Sequence, residues 1–344
     1  MTLSNSDTHS IQNIKYKLKR SSTEKFGEIS DFIVVEESYQ PLLISSYPNW
    51  YVRIFDYESL QVKKTFAFDW QEEELIVQKE SGDLVGGAVS LIGGKHQEKK
   101  GLYCKSPILL HLPVSQILMV GAGDKLRSYS LGKEFNFLTE TQTKGGRSFT
   151  ALFGIEEEGL VLAAKENVLA VYQKNLIKLT DHELETPLTS LLYLNTLHLE
   201  TLILAGSQDG SLFFLSLIGK GESIKRLFKT SPVHSGPITF LQSRGEKAFS
   251  FSKNDGNVIF EWDCERFEVV RKIEHNFLGG IVYSPVDGFF LGGGEKGLDF
   301  VNQVSGRMEG KVEWEGKVGC LSWRREKGEL AVGGEIIDVL ELEC

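Results

Sequence analysis

The feature of this sequence that most restricts its fold is a hairpin pattern that recurs at nearly constant spacing. Each unit has a short apolar strand rich in small residues, a tight turn, and a second strand of alternating character. The second strands begin at Val52, Leu126, Leu169, Leu212, Val258, Leu298 and Ile337, and five of the six intervals are 39 to 46 residues. A period of about 40 residues is typical of the blades of a β-propeller.

Further strands flank each hairpin. An apolar strand precedes it, as in residues 31–35 and 237–241, and a more polar strand follows it, as in residues 61–66 and 268–273. Each unit therefore contains an inner strand, two middle strands and an outer strand, which is the composition of one propeller blade. The sequence predicts an all-β, seven-bladed propeller.

The seventh unit ends at Cys344, directly after its third strand, so its outer strand has to come from elsewhere. Residues 14–19 alternate apolar side chains with Lys15, Lys17 and Lys19, the period-two pattern of a half-buried strand. We predict that this N-terminal strand pairs with the C-terminal blade, which closes the ring and covers exposed strand edges. Its lysines form either a solvated edge or a stripe that binds a partner.

The predicted organisation is a single propeller domain over residues 1–344. Its parts are a closing strand at 11–20, blade 1 at 28–68, an insertion at 69–105, and blades 2 to 7 at 106–144, 147–182, 186–230, 234–275, 278–314 and 317–344. The insertion explains the one long interval of the repeat. It is either a loop or, through a hairpin within residues 75–91, an eighth blade.

Composition excludes several classes of protein. The net charge of −9 gives no global support for sequence-independent binding of nucleic acid. The cysteines are too sparse for a disulfide framework and wrongly spaced for a zinc site: Cys104, Cys264, Cys320 and Cys344. With no apolar signal core and no membrane-spanning stretch, we expect an intracellular protein, cytoplasmic or nuclear, that does not bind membranes.

Motifs that indicate catalysis or cofactor binding are missing. The seven histidines never pair at helical or strand spacing, so no local metal motif exists. No nucleophile elbow occurs, and the glycine clusters at 219–223 and 292–297 lack the pattern of a phosphate loop. We therefore expect no catalytic residues, no cofactor and no metal, although a site assembled from several blades in the channel stays open as an alternative.

The repeat resembles the WD40 family of seven-bladed propellers over residues 11–344, most clearly at 52–56, at 207–210, and from 234–238 to Trp262-Asp263. In that family a His, a Ser or Thr, an Asp and a Trp form a buried hydrogen-bonded network in each blade. The resemblance implies such a network only in blade 5, from His234, Ser250, Asn254 or Asp255, and Trp262. In the other blades the Trp position is occupied by Phe55, Tyr129, Tyr172, Leu215, Val301 and Leu340.

Propellers of this type resemble platforms whose turns present side chains around the channel mouth. The candidate partner-binding residues of those turns are Asn49, Trp50, Asp124, Lys125, Gln208, Asp209, Asn254 and Asp255. Trp50 is of particular interest because interface hot spots are enriched in tryptophan. We expect a non-catalytic scaffold that binds proteins of a larger complex. The alternatives are an accessory subunit of an RNA-processing complex and an enzyme with a channel site.

Overall fold

The computed structural model describes residues 15–22, 29–36, 41–48, 51–67, 75–76, 107–132, 135–143, 147–195, 201–252, 258–277, 281–284, 288–294, 297–313, 318–324 and 328–343. These residues form 29 strands and one short 3-10 helix, Glu156–Glu158. The strands lie in seven antiparallel sheets, so the predicted all-β fold and seven blades are confirmed. Runs of β-branched and aromatic residues favour these strands because their side chains pack well on a pleated surface.

Each blade follows the chain from an inner strand to an outer strand. The first strand of the chain is β1 (Lys15–Ser21). Blade 1 holds β2 (Asp31–Val35), β3 (Leu42–Ser46), β4 (Tyr51–Asp56), β5 (Val62–Ala67) and β6 (Leu75–Ile76). Blade 2 holds β7 (Ile108–Leu112), β8 (Ile117–Ala122), β9 (Lys125–Ser130) and β10 (Asn136–Gln142). Blade 3 holds β11 (Phe149–Ile155), β12 (Leu160–Lys165), β13 (Val168–Gln173) and β14 (Lys178–Glu183).

The remaining blades have the same strand order. Blade 4 holds β15 (Leu188–Leu194), β16 (Leu202–Ser207), β17 (Leu212–Ile218) and β18 (Ser223–Lys229). Blade 5 holds β19 (Phe240–Arg244), β20 (Lys247–Phe251), β21 (Val258–Asp263) and β22 (Glu268–Glu274). Blade 6 holds β23 (Ile281–Ser284), β24 (Phe289–Gly294), β25 (Gly297–Asn302) and β26 (Met308–Glu313), and blade 7 holds β27 (Cys320–Arg324), β28 (Glu329–Gly333) and β29 (Ile337–Glu343).

The ring closes through the N-terminal strand, as the sequence predicted. Strand β1 pairs antiparallel with β29 and supplies the fourth strand of blade 7. In this register Lys15 lies opposite Glu343 and Lys17 opposite Glu341. The backbone pairing thus places a basic segment of the sequence beside the acidic end of the chain.

A buried carboxylate fastens the closing strand to blade 7. Glu329 is 1% exposed, and its oxygens lie 2.6 Å from Lys19 Nζ, 3.3 Å from Arg20 Nη2 and 3.1 Å from Arg324 Nη1. Burial alone would raise the pKa of Glu329, but the hydrogen bond from Lys19 and the positive charge of Arg20 outweigh it and hold the pKa below its usual value. Lys19 is thus engaged within the fold.

The same arginines connect blade 7 to blade 1. The guanidinium groups of Arg20 and Arg324 lie 4.9 and 4.7 Å from the ring centroid of Tyr57, a distance at which cation–π attraction operates. Both arginines also donate hydrogen bonds to Glu58, and Arg324 Nε lies 3.3 Å from Glu36 Oε1. The joint where the two chain ends meet is therefore held by a network of charges.

The core consists of apolar clusters between neighbouring blades. Seven such clusters occur among the described residues, one for each blade interface, including one between blade 7 and blade 1. Burial of apolar surface is the main favourable term in folding. Each blade is therefore stabilised chiefly by its two neighbours, and the ring has no free side.

The third strands of all seven blades share one register. In each blade a β-bulge interrupts pairing with the outer strand at the same step, and the same structural position follows the bulge: Phe55, Tyr129, Tyr172, Leu215, Trp262, Val301 and Leu340. All seven side chains are buried, and each packs in the cluster shared with the preceding blade. The sequence alignment of these positions matches the structural one.

Two details differ from the sequence prediction. The inner strand of blade 5 begins at Phe240 rather than Pro237, because Pro237 has no amide proton and Ile238 N donates instead to Ser207 O at 3.1 Å. Within the insertion, β6 adds a fifth strand to the outer edge of blade 1 by pairing with β5. The rest of the 69–105 segment lies outside the described residues.

Candidate functional site

The turns of a propeller divide between its two ends because successive strands of a blade run in opposite directions. One end carries the turns between second and third strands together with the connections between blades, and we call it the connection end. The other carries the turns between first and second and between third and fourth strands, and we call it the hairpin end. The described candidate partner-binding residues, Asp124, Lys125, Gln208 and Asp209, belong to the connection end.

Blade 5 contains a buried hydrogen-bonded network. Ser250 Oγ accepts a hydrogen bond from Trp262 Nε1 at 2.8 Å and lies 2.9 Å from His234 Nε2. All three residues are at most 2% exposed. Asn254 and Asp255, the candidates for the fourth member, lie outside the described residues. The three residues join the connection before the blade to its second and third strands.

Blade 6 contains a different network that sequence reasoning missed. His275 lies six residues before β23, as His234 lies six residues before β19, and its Nε2 is 3.1 Å from Asp299 Oδ2. The position equivalent to Ser250 is Gly292, where an added Cβ would lie 2.1 Å from the ring of Phe277. Blade 6 thus uses a direct His–Asp contact in place of a serine. The sequence signal for this contact is a glycine, Gly292, at the position of the strand serine, together with a histidine, His275, in the connection before the blade.

Blade 3 has a third kind of buried polar contact. Lys165 is buried, and its Nζ lies 3.2 Å from the hydroxyl of Tyr172, which occupies the Trp position. The pair of small residues Ala163 and Ala170 lies between them in register. Burial lowers the pKa of Lys165 and raises the pKa of Tyr172 to about 12. The side chain of Lys165 is therefore engaged within its own blade.

Side chains also close turns at the hairpin end. Asp56, Asp263 and Asn302 directly follow the Trp position of their blades, and each accepts hydrogen bonds from the amides two and three residues later at 2.8 to 3.1 Å. Such Asx turns fix the backbone locally. The acidic or amide residue after the Trp position is thus a structural cap.

The structure describes half of the candidate partner-binding residues. Asp124 accepts a hydrogen bond from Gln142 Nε2 at 2.7 Å, and Lys125 Nζ lies 3.9 Å from Glu140. The other candidates in this part of the chain are Gln208 and Asp209, two blades further round the ring. Asn49, Trp50, Asn254 and Asp255 lie outside the described residues. Blade 3 separates the two described pairs, so they do not form one cluster.

Asp209 points into its own turn. Its Oδ1 accepts hydrogen bonds from Ser207 Oγ at 2.5 Å and from Ser211 N at 3.0 Å. Burial alone would raise the pKa of Asp209, but these hydrogen bonds outweigh it and lower the pKa. The neighbouring Gln208 donates its amide to Pro187 O at 2.8 Å. Asp209 therefore shapes the surface of the connection end and is less free to contact a partner.

Gly210 allows this turn to pack closely against the connection into blade 5. Its φ of 82° is left-handed, and an added Cβ would lie 2.0 Å from the backbone oxygen of His234. Gly245 has a similar φ of 59° but nothing within 4 Å of an added Cβ.

We expect Gly245→Ala to lower the free energy of unfolding by about 1 kcal/mol and Gly210→Ala by about 2 kcal/mol or more. Denaturant titration measures both changes in the free energy of unfolding. Equal losses would show that the backbone at His234 moves away from the added methyl group without cost.

Neither a metal-binding cluster nor a membrane-spanning helix occurs among the described residues. They contain no group of three His, Cys, Asp or Glu side chains that could hold a metal ion. They also contain no helix long and apolar enough to cross a membrane. In comparisons with known proteins, no family model and no curated protein sequence matches this chain.

Proposed function

We propose that this chain is a WD40-type propeller and acts as a non-catalytic scaffold for the proteins of an intracellular complex. The observation that carries the proposal is the hydrogen-bonded network of His234, Ser250 and Trp262 on a register that all seven blades share. The Asx turns at Asp56 and Asp263 further support WD40-type blades. In that family such rings present their turns to protein partners.

Rigidity is the physical basis of the proposed mechanism. Side chains held on a closed ring need little reordering when a partner arrives, so less conformational entropy opposes association. The cluster that joins blade 7 to blade 1 and the charges around Glu329 support a ring that is already closed before binding. The turns at either end are then the surfaces through which the scaffold binds.

The RNA-linked role is less well supported. Its predicted contacts were basic residues of the closing strand or of the insertion. In the closing strand, Lys19 is bound to Glu329 within the fold, and the backbones of Lys15 and Lys17 lie opposite acidic residues. Most of the insertion lies outside the described residues. A catalytic channel site has no observation in its favour and is therefore an outcome of the test rather than a second proposal.

Affinity purification from the native cell at moderate salt, with and without nuclease, tests the proposal. We expect a reproducible set of proteins, at constant stoichiometry, that nuclease leaves unchanged. Loss of the set after nuclease would contradict the scaffold proposal, because it would mean that RNA holds these proteins together. Binding through RNA phosphates would also weaken steeply with salt. Turnover of a substrate by the purified chain without a partner would also contradict the scaffold proposal.

A further inference from the structure

The third strand of blade 7 buries a carboxylate for which the described residues provide no cation. Asp338 is 4% exposed and lies on β29, two residues before Leu340 at the Trp position. In blade 6 the same place holds Asp299, whose Oδ2 lies 3.1 Å from Nε2 of His275. Asp338 has no such histidine among its described contacts. The other blades have Arg53, Arg127, Ala170, Phe213 and Phe260 at this position.

The surroundings of Asp338 are apolar. Val332 lies directly across the strand pair, and Leu340 lies two residues along on the same face of β29. Both belong to the apolar cluster between blades 6 and 7, together with Leu298 and Val312. One carboxyl oxygen of Asp338, Oδ1, is buried without a hydrogen-bond partner in the described structure. A carboxylate buried in this way is costly as an ion.

The closing strand supplies the contact that this carboxyl does have. Ser21, the last residue of β1, lies opposite Asp338 in the strand register, and its side chain hydrogen-bonds to the carboxyl. Beside this pair, Ser22 N donates to Ile337 O at 2.8 Å, and Ile337 N donates to Ser22 Oγ at 3.0 Å. The end of the closing strand is thus attached to blade 7 next to the buried carboxyl.

Charged groups on the neighbouring elements do not compensate Asp338. Burial raises its pKa, and among the described residues only the hydrogen bond from Ser21 opposes this rise. The connection at 314–317 lies outside the described residues. The charged residues on the elements around it are Arg20 on β1, Glu329 on β28, Glu335 in the turn before β29, Asp299 on β25, and Lys311 and Glu313 on β26.

We propose that Asp338 makes the closure of the ring sensitive to pH, because the closing strand is held more firmly when this carboxyl is protonated than when it is ionised. The neutral acid places no charge in the apolar interface and keeps the contact with Ser21. Ionisation leaves a charge that neither a cation nor a full set of hydrogen bonds offsets. This device is a property of the fold and is independent of the proposed scaffold function.

The direction of the pH effect follows from the pKa of the folded state. Because the pKa of Asp338 is raised on folding, its ionisation lowers stability at neutral pH, and this loss is relieved as the pH falls through the folded pKa toward the usual value of 3.8. Glu329 has the opposite dependence, and its contribution is complete above the usual value of 4.5. Above pH 4.5 the effect of Asp338 is therefore separate from that of Glu329.

Urea denaturation of the full chain between pH 4.5 and pH 7.5 tests the proposal, with Asp338→Asn as a neutral replacement of the same shape. We expect the urea midpoint of the variant to lie about 0.3 M above that of the wild type at pH 7.5, and the difference to shrink as the pH falls. A variant midpoint at or below the wild-type value at pH 7.5 would overturn the proposal. A difference that stays constant over the whole range would also overturn it.

The matched control is Asp181→Asn on β14. Its carboxylate is 45% exposed and lies 2.7 Å from Nζ of Lys178, so we expect its midpoint to change by less than about 0.1 M. An equal rise in both variants would attribute the gain to the lower net negative charge of the chain and would overturn the proposal.

Ser21→Ala tests whether the effect acts through the closing strand. Loss of the hydroxyl should lower the midpoint at neutral pH more in the wild type than in Asp338→Asn, because it removes the hydrogen bond that offsets the buried charge. Equal losses in the two backgrounds would show that Asp338 does not act on the closing strand, which contradicts the proposal.

Discussion

Replacing Glu329 with glutamine is expected to lower the free energy of unfolding by about 3 kcal/mol, because it leaves buried cations without their counter-charge. Glu329 is 1% exposed and lies within 3.3 Å of nitrogen atoms of Lys19, Arg20 and Arg324. Lys19 and Arg20 reach solvent in part, which places the effect at the lower end of the usual range. Urea titration at neutral pH measures the change.

The matched control is Glu341→Gln. Glu341 belongs to the neighbouring strand β29 and lies 3.6 Å from Lys19, but it is 40% exposed, so its removal is expected to cost less than about 0.5 kcal/mol. Equal losses from the two substitutions would contradict the view that the buried carboxylate fastens the closing strand.

A fall in pH should weaken the same contact and so reveal its contribution to stability. Because the pKa of Glu329 is lowered in the folded state, its contribution to stability is complete above the usual value of 4.5 and is lost as the pH falls through the lower folded pKa. We expect Glu329→Gln to remove that part of the acid dependence, so that wild type and variant converge below pH 4.5. Parallel stability curves throughout the acid range would show that Glu329 titrates normally.

The second large effect is expected in blade 5. Ser250→Ala removes the shared partner of His234 and Trp262, and leaving two buried polar groups unsatisfied should cost about 3 kcal/mol. Ser45→Ala in blade 1 is the matched control, since Ser45 is equally buried but bonds to one hydroxyl, that of Tyr47, at 3.0 Å. That loss should be about 1 kcal/mol.

A double-mutant cycle with Trp262→Phe separates the hydrogen bond from general packing. If the network is cooperative, Ser250→Ala should cost clearly less in the Trp262→Phe background than in the wild type, with a coupling of about 1 kcal/mol. Additive losses would mean that Ser250 and Trp262 stabilise the blade independently, and would weaken the WD40-type assignment.

The sequence could predict the ring because the repeat reflects the burial of apolar surface, which is the main favourable contribution to folding and recurs in every blade. Each blade buries its apolar faces against two neighbours, so the period persists even where the signature residues differ. Phe55, Leu215 and Val301 are chemically unlike Trp262, yet each occupies the same buried position after the bulge. The period-two alternation of residues 14–19 also predicted the closing strand, but the faces are reversed at its described end: Leu18 is 53% exposed, and Lys19 reaches the buried Glu329.

The polar contacts were harder to predict because they depend on geometry between distant residues. His275 lies 3.1 Å from Asp299 in a blade where Gly292 leaves room for Phe277. In blade 3 the buried Lys165 reaches the hydroxyl of Tyr172 on the neighbouring strand. Neither arrangement has a fixed spacing in sequence.

The proposed scaffold is a ring that is closed before it binds and that contacts its partners through its turns. Hydrogen exchange of the free chain and of the purified complex tests it most directly, because backbone amides report local opening. We predict that β1 and β29 exchange as slowly as β28 in both states, and that binding slows exchange only in surface turns. Rapid exchange of β1 in the free chain, or a protection gained by whole blades on binding, would contradict this proposal.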